Sequence, residues 1–265
     1  LLRQNNARAD IVTSGDNECC RITITTRKEP AAVQETQARA PVITGSRPEF
    51  YDFNLFEKDE TCTDLLEMGL KDLTYTVFDT ETTGLKPDQG DEIVSIAAIR
   101  IVNGKILYQD IFEELVDPKR DIPIEAYKIH GLNYEMVQGK KEITAVLPAF
   151  RKFSDASVLV GHNIAFDMKM LKVKEKVTGT HFPNPVLDTL LLSAILHPVH
   201  EHHDLENIAR RLGVEIIGRH TALGDTIATA RIFLKLLPLL HSNGVLTLRD
   251  AILASKKTYY ARLTY

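Results

Sequence analysis

Two carboxylates, Asp79 and Glu81, end an apolar segment in the stretch "TVFDTETTG". Side chains at positions i and i+2 of an extended strand share a face, so both acids point the same way at the strand's C-terminal end. In open α/β sheets, ligands bind at that end. Like charges repel unless a cation lies between them, and oxygen ligands favour Mg²⁺ or Mn²⁺ over zinc. The pair therefore indicates half of a divalent-metal site.

Two further acids follow short loops before predicted helices. "VLVGHNIAFDMKML" places Asp167 in the first turn of a helix after a short strand, and "RHTALGDTIATA" places Asp225 near the start of another. His220 precedes Asp225 by five residues. Each acid alone is explained by the preference of carboxylates for a first turn, and a lone histidine is more often structural. Together they predict that four acids converge at one end of a sheet.

Three consecutive strands are predicted before these helices. They are "LTYTVFD", "EIVSIAAIRIVNG" and "KILYQDIFEELVDP", and Asn103-Gly104 is a strong hairpin signal between the second and third. Helical patterns follow in "IPIEAYKIHGL" and "EITAVLPAFRKFS". After the strand "SVLVGH", a helix is predicted from the 3.6-residue spacing of apolar side chains. These are Phe166, Met170, Val173 and Val177.

The C-terminal half continues the alternation of strands and helices. "PVLDTLLLSAIL" has an ambiguous period and is either a strand or the start of a helix. "DLENIARRLGV" is predicted as a helix with Asp204 as N-cap and Gly213 at its end. "GDTIATARIFLKLLPLL" is predicted as a helix closed by Pro238. The pattern predicts an α/β fold with a mixed sheet, its first three strands a meander, flanked by helices.

The composition of the chain limits which cellular compartment and which binding partners are expected. The chain has 265 residues, 44% of them hydrophobic, and a formal net charge of −4, which argues against a broad DNA-coating face. Its three cysteines show no zinc spacing and are expected to be thiols in a reducing, cytoplasmic compartment. No apolar run reaches the roughly 18 residues of a membrane helix. The chain starts with Leu-Leu-Arg, so an upstream anchor or domain is an open expectation.

Residues 1–70 differ in pattern from the rest and are predicted to be an N-terminal extension and linker, with the main domain at 71–265 and its core at about 72–240. "RITITTR" alternates like a short strand. The aromatic stretch "FYDFNLF" is suited to base stacking or to docking on the next domain. Docking is favoured because no basic residues interleave the aromatic rings.

The motifs "FDTETTG", "GHNIAFDMKML" and "HTALGDT" resemble, in order and spacing, those of the DEDDh-type 3′→5′ exonucleases, similar to the proofreading epsilon subunit of bacterial DNA polymerase III. The resemblance spans about residues 72–240 and includes "IHGL" and "LDTL". It implies a ribonuclease-H-like fold with a mixed five-stranded sheet. It also implies two divalent metal ions, Mg²⁺ or Mn²⁺. The third motif fits the branch of the family that uses a histidine, because four residues separate His220 from Asp225. No tyrosine lies between Asp188 and Asp225 to fit the tyrosine branch.

The resemblance also implies roles for the five catalytic residues. Asp79 is expected to bridge both metals, with Glu81 and Asp225 helping to hold the metal that activates water. Asp167 is expected to act as a ligand directly or through water. His220 is expected to be the general base, because an unperturbed imidazole titrates near ~6.5.

Six residues are expected to contact the substrate. The backbone near Thr82 and Gly84 is expected to approach the terminal nucleotide, because glycine has no Cβ. By resemblance, Glu125 and His130 lie beside that nucleotide, although His130 could equally cap the following turn. His162 and Asn163 are expected to hydrogen-bond sugar or phosphate.

The leading functional hypothesis is a metal-dependent enzyme that trims single-stranded DNA from its 3′ end and releases nucleoside 5′-monophosphates. An exoribonuclease of the same fold is the alternative, because motif residues do not read the 2′-OH. A non-catalytic interaction module is a weaker one, since no catalytic residue is missing. A DNA polymerase partner is left open. The histidine-rich "HPVHEHHD" is interpreted as a solvated loop.

Overall fold

The structure is a computed structural model that describes residues 63–200 and 202–258. Three segments lie outside the described residues: "RITITTR", "FYDFNLF" and the C-terminal tail with Tyr259, Tyr260 and Tyr265. The tyrosines and basic residues of that tail predict contact with nucleic acid or packing back onto the domain. The expectations for them stay predictions.

One five-stranded mixed sheet has the order β3-β2-β1-β4-β5. Strands β1, β2 and β3 pair antiparallel, and β4 and β5 add in parallel to β1. The predicted mixed sheet with an initial meander is thereby confirmed. The strands are β1 Tyr75–Thr82, β2 Ile93–Val102, β3 Lys105–Leu115, β4 Val158–Gly161 and β5 Val186–Asp188.

The hairpin between β2 and β3 turns on the predicted dipeptide. Asn103 and Gly104 have φ angles of 51° and 68°, so both lie in the left-handed region. A two-residue hairpin turn with two positive φ angles matches the right-handed twist of its strands, and Asn-Gly adopts it at low cost.

Nine helices surround this sheet in the described ranges. They are α1 Thr63–Glu67, α2 Ile124–His130, α3 Tyr134–Val137, α4 Ile143–Phe153, α5 Ala165–Thr178, α6 Thr189–Leu196, α7 Leu205–Leu212, α8 Ala222–Ser242 and α9 Leu248–Lys256. A short 3₁₀ turn at Pro87–Gln89 follows β1. The ambiguous "PVLDTLLLSAIL" holds both elements, because β5 passes directly into α6.

The two faces of the sheet have separate cores. Tyr75 and Val77 of β1 belong to a cluster with residues of α6, α7, α8 and α9. Phe78, the next residue of opposite orientation, belongs to a cluster with residues of α4 and α5. The rings of Tyr75 and of Phe233 in α8 pack edge to face, with ring centroids 4.7 Å apart. Alternate residues of β1 therefore face α8 and α5.

Two helix boundaries were predicted with different success. Helix α7 has Asp204 as its N-cap, with the side chain accepting from the amide of Asn207, and ends at Gly213, as predicted. Helix α8 does not end at Pro238 but continues to Ser242. Proline removes its own amide hydrogen bond and crowds the carbonyl four residues earlier, but the buried Leu236 and Leu240 on either side keep the last turns against the core.

Two apolar predictions need qualification. Phe166 and Met170 of α5 are buried, but Val177 at the end of the same predicted stripe is 68% exposed. Residues 63–70, assigned from sequence to the extension, contribute Leu66 and Leu70 to the α8-side core.

Candidate active site

Strand β1 carries both acids of the first motif on one face. All its residues are buried, and Asp79 and Glu81 continue the alternation that places Tyr75 and Val77 against α8. The predicted common orientation follows from this period of two. Because the strand ends there, the two carboxylates lie at the C-terminal edge of the sheet on its α8 side.

Asp225 joins these two acids from the first turn of α8. One carboxylate oxygen from each of Asp79, Glu81 and Asp225 lies within 4.8 Å of the others, and the three residues are only 6–8% exposed. Opposite ligands of one Mg²⁺ are separated by roughly 4.2 Å, so the spacing is close to that of a shared ion. Buried like charges this close need a cation. The donor set therefore fits a divalent metal with oxygen ligands.

Asp167 reaches β1 from the opposite face. It is 1% exposed on α5, and its Oδ1 accepts hydrogen bonds from the backbone amide of Thr80 at 3.0 Å and from the Thr80 hydroxyl. Thr80 points away from Asp79 and Glu81 because it lies between them. The three-acid cluster does not include Asp167, and its role as a ligand stays a prediction.

His220 lies on the loop before α8, as predicted. Its backbone amide donates to Asp225 Oδ2 at 3.3 Å, and its φ of 63° is in the left-handed region. The loop packs closely on the helix start, since a Cβ at Gly224 would lie 2.0 Å from the carbonyl oxygen of Gly218. Gly224 thus permits the approach that holds His220 next to Asp225.

Arg219 is a site residue that the sequence reasoning missed. Its Nη1 donates to Asp225 Oδ2, and its Nε donates to Glu206 Oε1 at 2.5 Å. Burial alone would lower the pKa of Arg219, but the charges of Asp225, Glu206 and Asp79 raise it above its ordinary value. The available signal was a basic residue directly before the motif histidine.

His162 and Asn163 lie between β4 and α5. The Thr189 hydroxyl donates to the carbonyl of Gly161, so His162 Nδ1 is the donor in its 2.9 Å contact with Thr189 Oγ1. Asn163 is 7% exposed with φ 53°, and its buried Oδ1 accepts no hydrogen bond from the described residues.

Asp188 holds this loop, a role that the sequence marker "LDTL" did not indicate. Its carboxylate accepts from the amides of Asn163, Ile164 and Leu190 at 3.0, 2.9 and 2.8 Å. It is 3% exposed at the end of β5. Asp188 therefore fixes the start of α5, the helix that carries Asp167, to the start of α6.

In the loop after β1, Gly84 lies close to another side chain of the protein, whereas the sequence predicted a close approach to a nucleotide. A Cβ at Gly84 would lie 2.3 Å from a carboxylate oxygen of Asp91, so the close approach there is intramolecular. Asp91 also accepts from the Thr83 hydroxyl and from the amide of Lys86. The Thr82 hydroxyl donates to the carbonyl of Gly84. Their contact with a nucleotide stays a prediction.

His130 has both ring nitrogens engaged by the protein. The amide of Leu132 donates to Nδ1 at 3.1 Å, so Nε2 carries the proton and donates to the carbonyl of Thr82 at 3.2 Å. Burial lowers the pKa of His130. This geometry matches the structural alternative and also anchors Thr82. Glu125 is exposed in the first turn of the same helix, α2.

The histidine-rich segment is only partly a solvated loop. His200 and His202 are exposed, but His203 is 3% exposed and its Nδ1 contacts the Ser193 hydroxyl at 2.9 Å. Burial, followed by the charge of Arg211, lowers the pKa of His203 to about 4. The period of α7 brings Arg211 beneath this segment, which the sequence pattern alone did not indicate.

The exonuclease family matches residues 76–233. A DNA polymerase III subunit epsilon-like protein of Rhodobacter capsulatus is 48% identical over 199 residues, which are 74% of this chain and 28% of the relative. A DNA polymerase III PolC-type protein of Caldanaerobacter subterraneus is 40% identical over 173 residues, 64% of this chain and 12% of the relative. The chain thus spans between 12% and 28% of these relatives' lengths.

Solved structures agree on the fold. Exonuclease X in complex with 5′ overhanging duplex DNA aligns with a TM-score of 0.54 and 27% identity, over 68% of this chain and 99% of that one. The nuclease domain of 3′hExo, a DEDDh family member bound to rAMP, aligns with a TM-score of 0.56 and 17% identity, over 64% and 93%. No helix in the ranges 63–200 and 202–258 is both long enough and apolar enough to cross a bilayer.

Proposed function

Because the chain belongs to the exonuclease family, we propose that it is a metal-dependent 3′→5′ exonuclease that trims single-stranded DNA ends and releases nucleoside 5′-monophosphates. The observation that carries this proposal is the buried cluster of Asp79, Glu81 and Asp225 at the C-terminal edge of β1. The names of the relatives, which are DNA polymerase III proteins, support DNA as the substrate and a polymerase as a partner.

The acids would hold two divalent ions, Mg²⁺ or Mn²⁺. Asp79 and Glu81 offer oxygens from one face of β1, and Asp225 offers one from α8 on the same side. Asp167 offers a carboxylate from the other side. When bound, such ions activate water and neutralise charge on the phosphate and on the leaving oxygen. The Thr80 contacts hold the Asp167 carboxylate beside β1.

The remaining residues would move the proton and position the strand end. In the hydrolysis, water attacks phosphorus, the bond from phosphorus to the 3′ oxygen breaks, and the 3′ oxygen takes a proton as it leaves. His220 would accept the proton of the attacking water, since its loop is tied to Asp225 through the backbone amide. The buried Oδ1 of Asn163, which accepts no hydrogen bond from the described residues, would accept one from the sugar.

The test is a trimming assay on 5′-labelled single-stranded oligonucleotides with Mg²⁺ or Mn²⁺. The wild-type chain should produce a ladder that shortens from the 3′ end, and Asp79→Asn should reduce the rate by at least about a thousandfold. Asp64→Asn, the same change at an exposed acid of α1, is the matched control and should keep full activity. Absence of metal-dependent trimming, or an active Asp79→Asn variant, contradicts the proposal.

The same assay separates DNA from RNA. A DNA and an RNA oligonucleotide of equal sequence are compared at equal concentration, and faster trimming of DNA is expected. Faster trimming of RNA would retain the metal site but assign the chain to the exoribonucleases. A circular single strand should stay intact, because an exonuclease needs an end.

A further inference from the structure

A permanently charged side chain lies directly against the candidate metal site. We propose that Arg219 is the resident counter-charge of Asp79, Glu81 and Asp225: it partly neutralises the cluster without metal and so weakens the binding of divalent cations. This inference rests on the proposed function, because it concerns the same metal site. Arg219 would act through the acids as a charge-compensating residue and would not touch the substrate.

The geometry fixes the guanidinium in place from two sides. Nη1 donates to Asp225 Oδ2, and Nε forms an ion pair with Glu206 of α7 at 2.5 Å. The planar fork of arginine can satisfy two carboxylates at once, which a lysine cannot do with the same geometry. Glu206 thus orients a positive charge that the loop before α8 brings to the acids.

The surroundings make this charge effective. The Asp225 side chain is 8% exposed and that of Arg219 33%, so solvent screens their attraction only partly. The charge of Asp79, on the neighbouring strand, also helps to raise the pKa of Arg219. The field of the guanidinium therefore extends beyond its direct partner to a second member of the cluster.

Two consequences follow for the metal. In the metal-free protein, Arg219 reduces the repulsion among buried carboxylates and keeps the C-terminal end of β1 stable. An arriving divalent cation meets a site that already contains one positive charge, so part of the attraction is lost. Removing the charge should destabilise the metal-free protein and strengthen metal binding.

The experiment measures Mn²⁺ binding by the full chain from the electron paramagnetic resonance signal of free Mn²⁺, without substrate or turnover. Arg219→Gln should bind Mn²⁺ on the order of tenfold more tightly than wild type. Its melting temperature should be lower without metal and should rise more on addition of Mn²⁺. Arg210→Gln removes an exposed arginine of α7 that contacts Asn207, and it should match wild type.

A second variant separates charge from geometry. Arg219→Lys keeps the positive charge and should bind Mn²⁺ within about threefold of wild type. Equal or weaker binding by Arg219→Gln, or binding by Arg219→Lys as tight as that of Arg219→Gln, overturns the inference. If Arg219→Gln is unfolded without metal, refolding on addition of Mn²⁺ supports the inference, and failure to refold overturns it.

The outcomes also separate this inference from the proposed function. A wild-type chain that binds no Mn²⁺ contradicts the metal-dependent exonuclease, and the inference fails with it. A wild-type chain that binds Mn²⁺ and trims DNA, together with an Arg219→Gln variant of unchanged affinity, contradicts only the role of Arg219.

Discussion

Replacing Asp188 by alanine should lower the free energy of unfolding by more than any sequence motif suggests. The carboxylate accepts three amide hydrogen bonds, from Asn163, Ile164 and Leu190. Asn163 and Ile164 are buried, so their amides would lose their acceptor in a place that water reaches poorly. A hydrogen bond to a charged group contributes about 1.5–3 kcal/mol. Because water can replace part of the three lost bonds, we expect the free energy of unfolding to fall by about 4 kcal/mol.

The measurement is urea unfolding of Asp188→Ala and of two comparison variants at neutral pH. Asp188→Asn keeps the volume and one acceptor oxygen, so it should lose about half as much stability. Asp204→Ala removes an ordinary helix N-cap that accepts from the amide of Asn207, and it should cost about 1 kcal/mol. A free energy of unfolding for Asp188→Ala within about 1 kcal/mol of wild type would refute the reasoning.

Three further predictions concern pH, packing and metal. Burial lowers the pKa of His203 to about 4, so between pH 6.5 and 4 the unfolded chain binds more protons than the folded chain. The stability that His203 contributes should therefore be complete above pH 6.5 and fall towards pH 4. His203→Gln should flatten that urea-unfolding profile, whereas exposed His202→Gln should not. Gly224→Ala should reduce the trimming rate at least about tenfold, because its Cβ would meet the Gly218 carbonyl. Ser242→Ala, at the far end of α8, should have no effect. Equal trimming rates for the two variants would contradict the packing argument. Chelation should accelerate amide hydrogen exchange at the C-terminal end of β1, and unchanged protection there would contradict metal stabilisation.

Periodicity predicted the parts of the fold that depend on local sequence. The alternation of β1 placed Asp79 and Glu81 on one face, and Asn103-Gly104 specified the hairpin, because both depend on backbone geometry within a few residues. The end of α8 was wrong because tertiary burial of Leu240 outweighs the hydrogen bond lost at Pro238. Local propensity does not report that burial.

Contacts across the fold could not be predicted from one sequence. Asp167 lies on the opposite face of β1 from the other acids, which depends on whether α5 or α8 covers each side of the sheet. Asp188 and Arg219 act through partners 25 and 6 residues away along the chain, and neither spacing corresponds to a motif. The site was therefore predictable as a set of acids, but the groups that hold them were not.

The most direct test is anomalous diffraction from a crystal of the chain soaked in Mn²⁺. We expect a strong anomalous peak within about 2.2 Å of oxygens from Asp79, Glu81 and Asp225. Arg219 should lie beside that peak without ligating it. No peak at the cluster in a crystal with open solvent access, or ordered Mn²⁺ only at the histidine-rich segment before α7, would contradict the account.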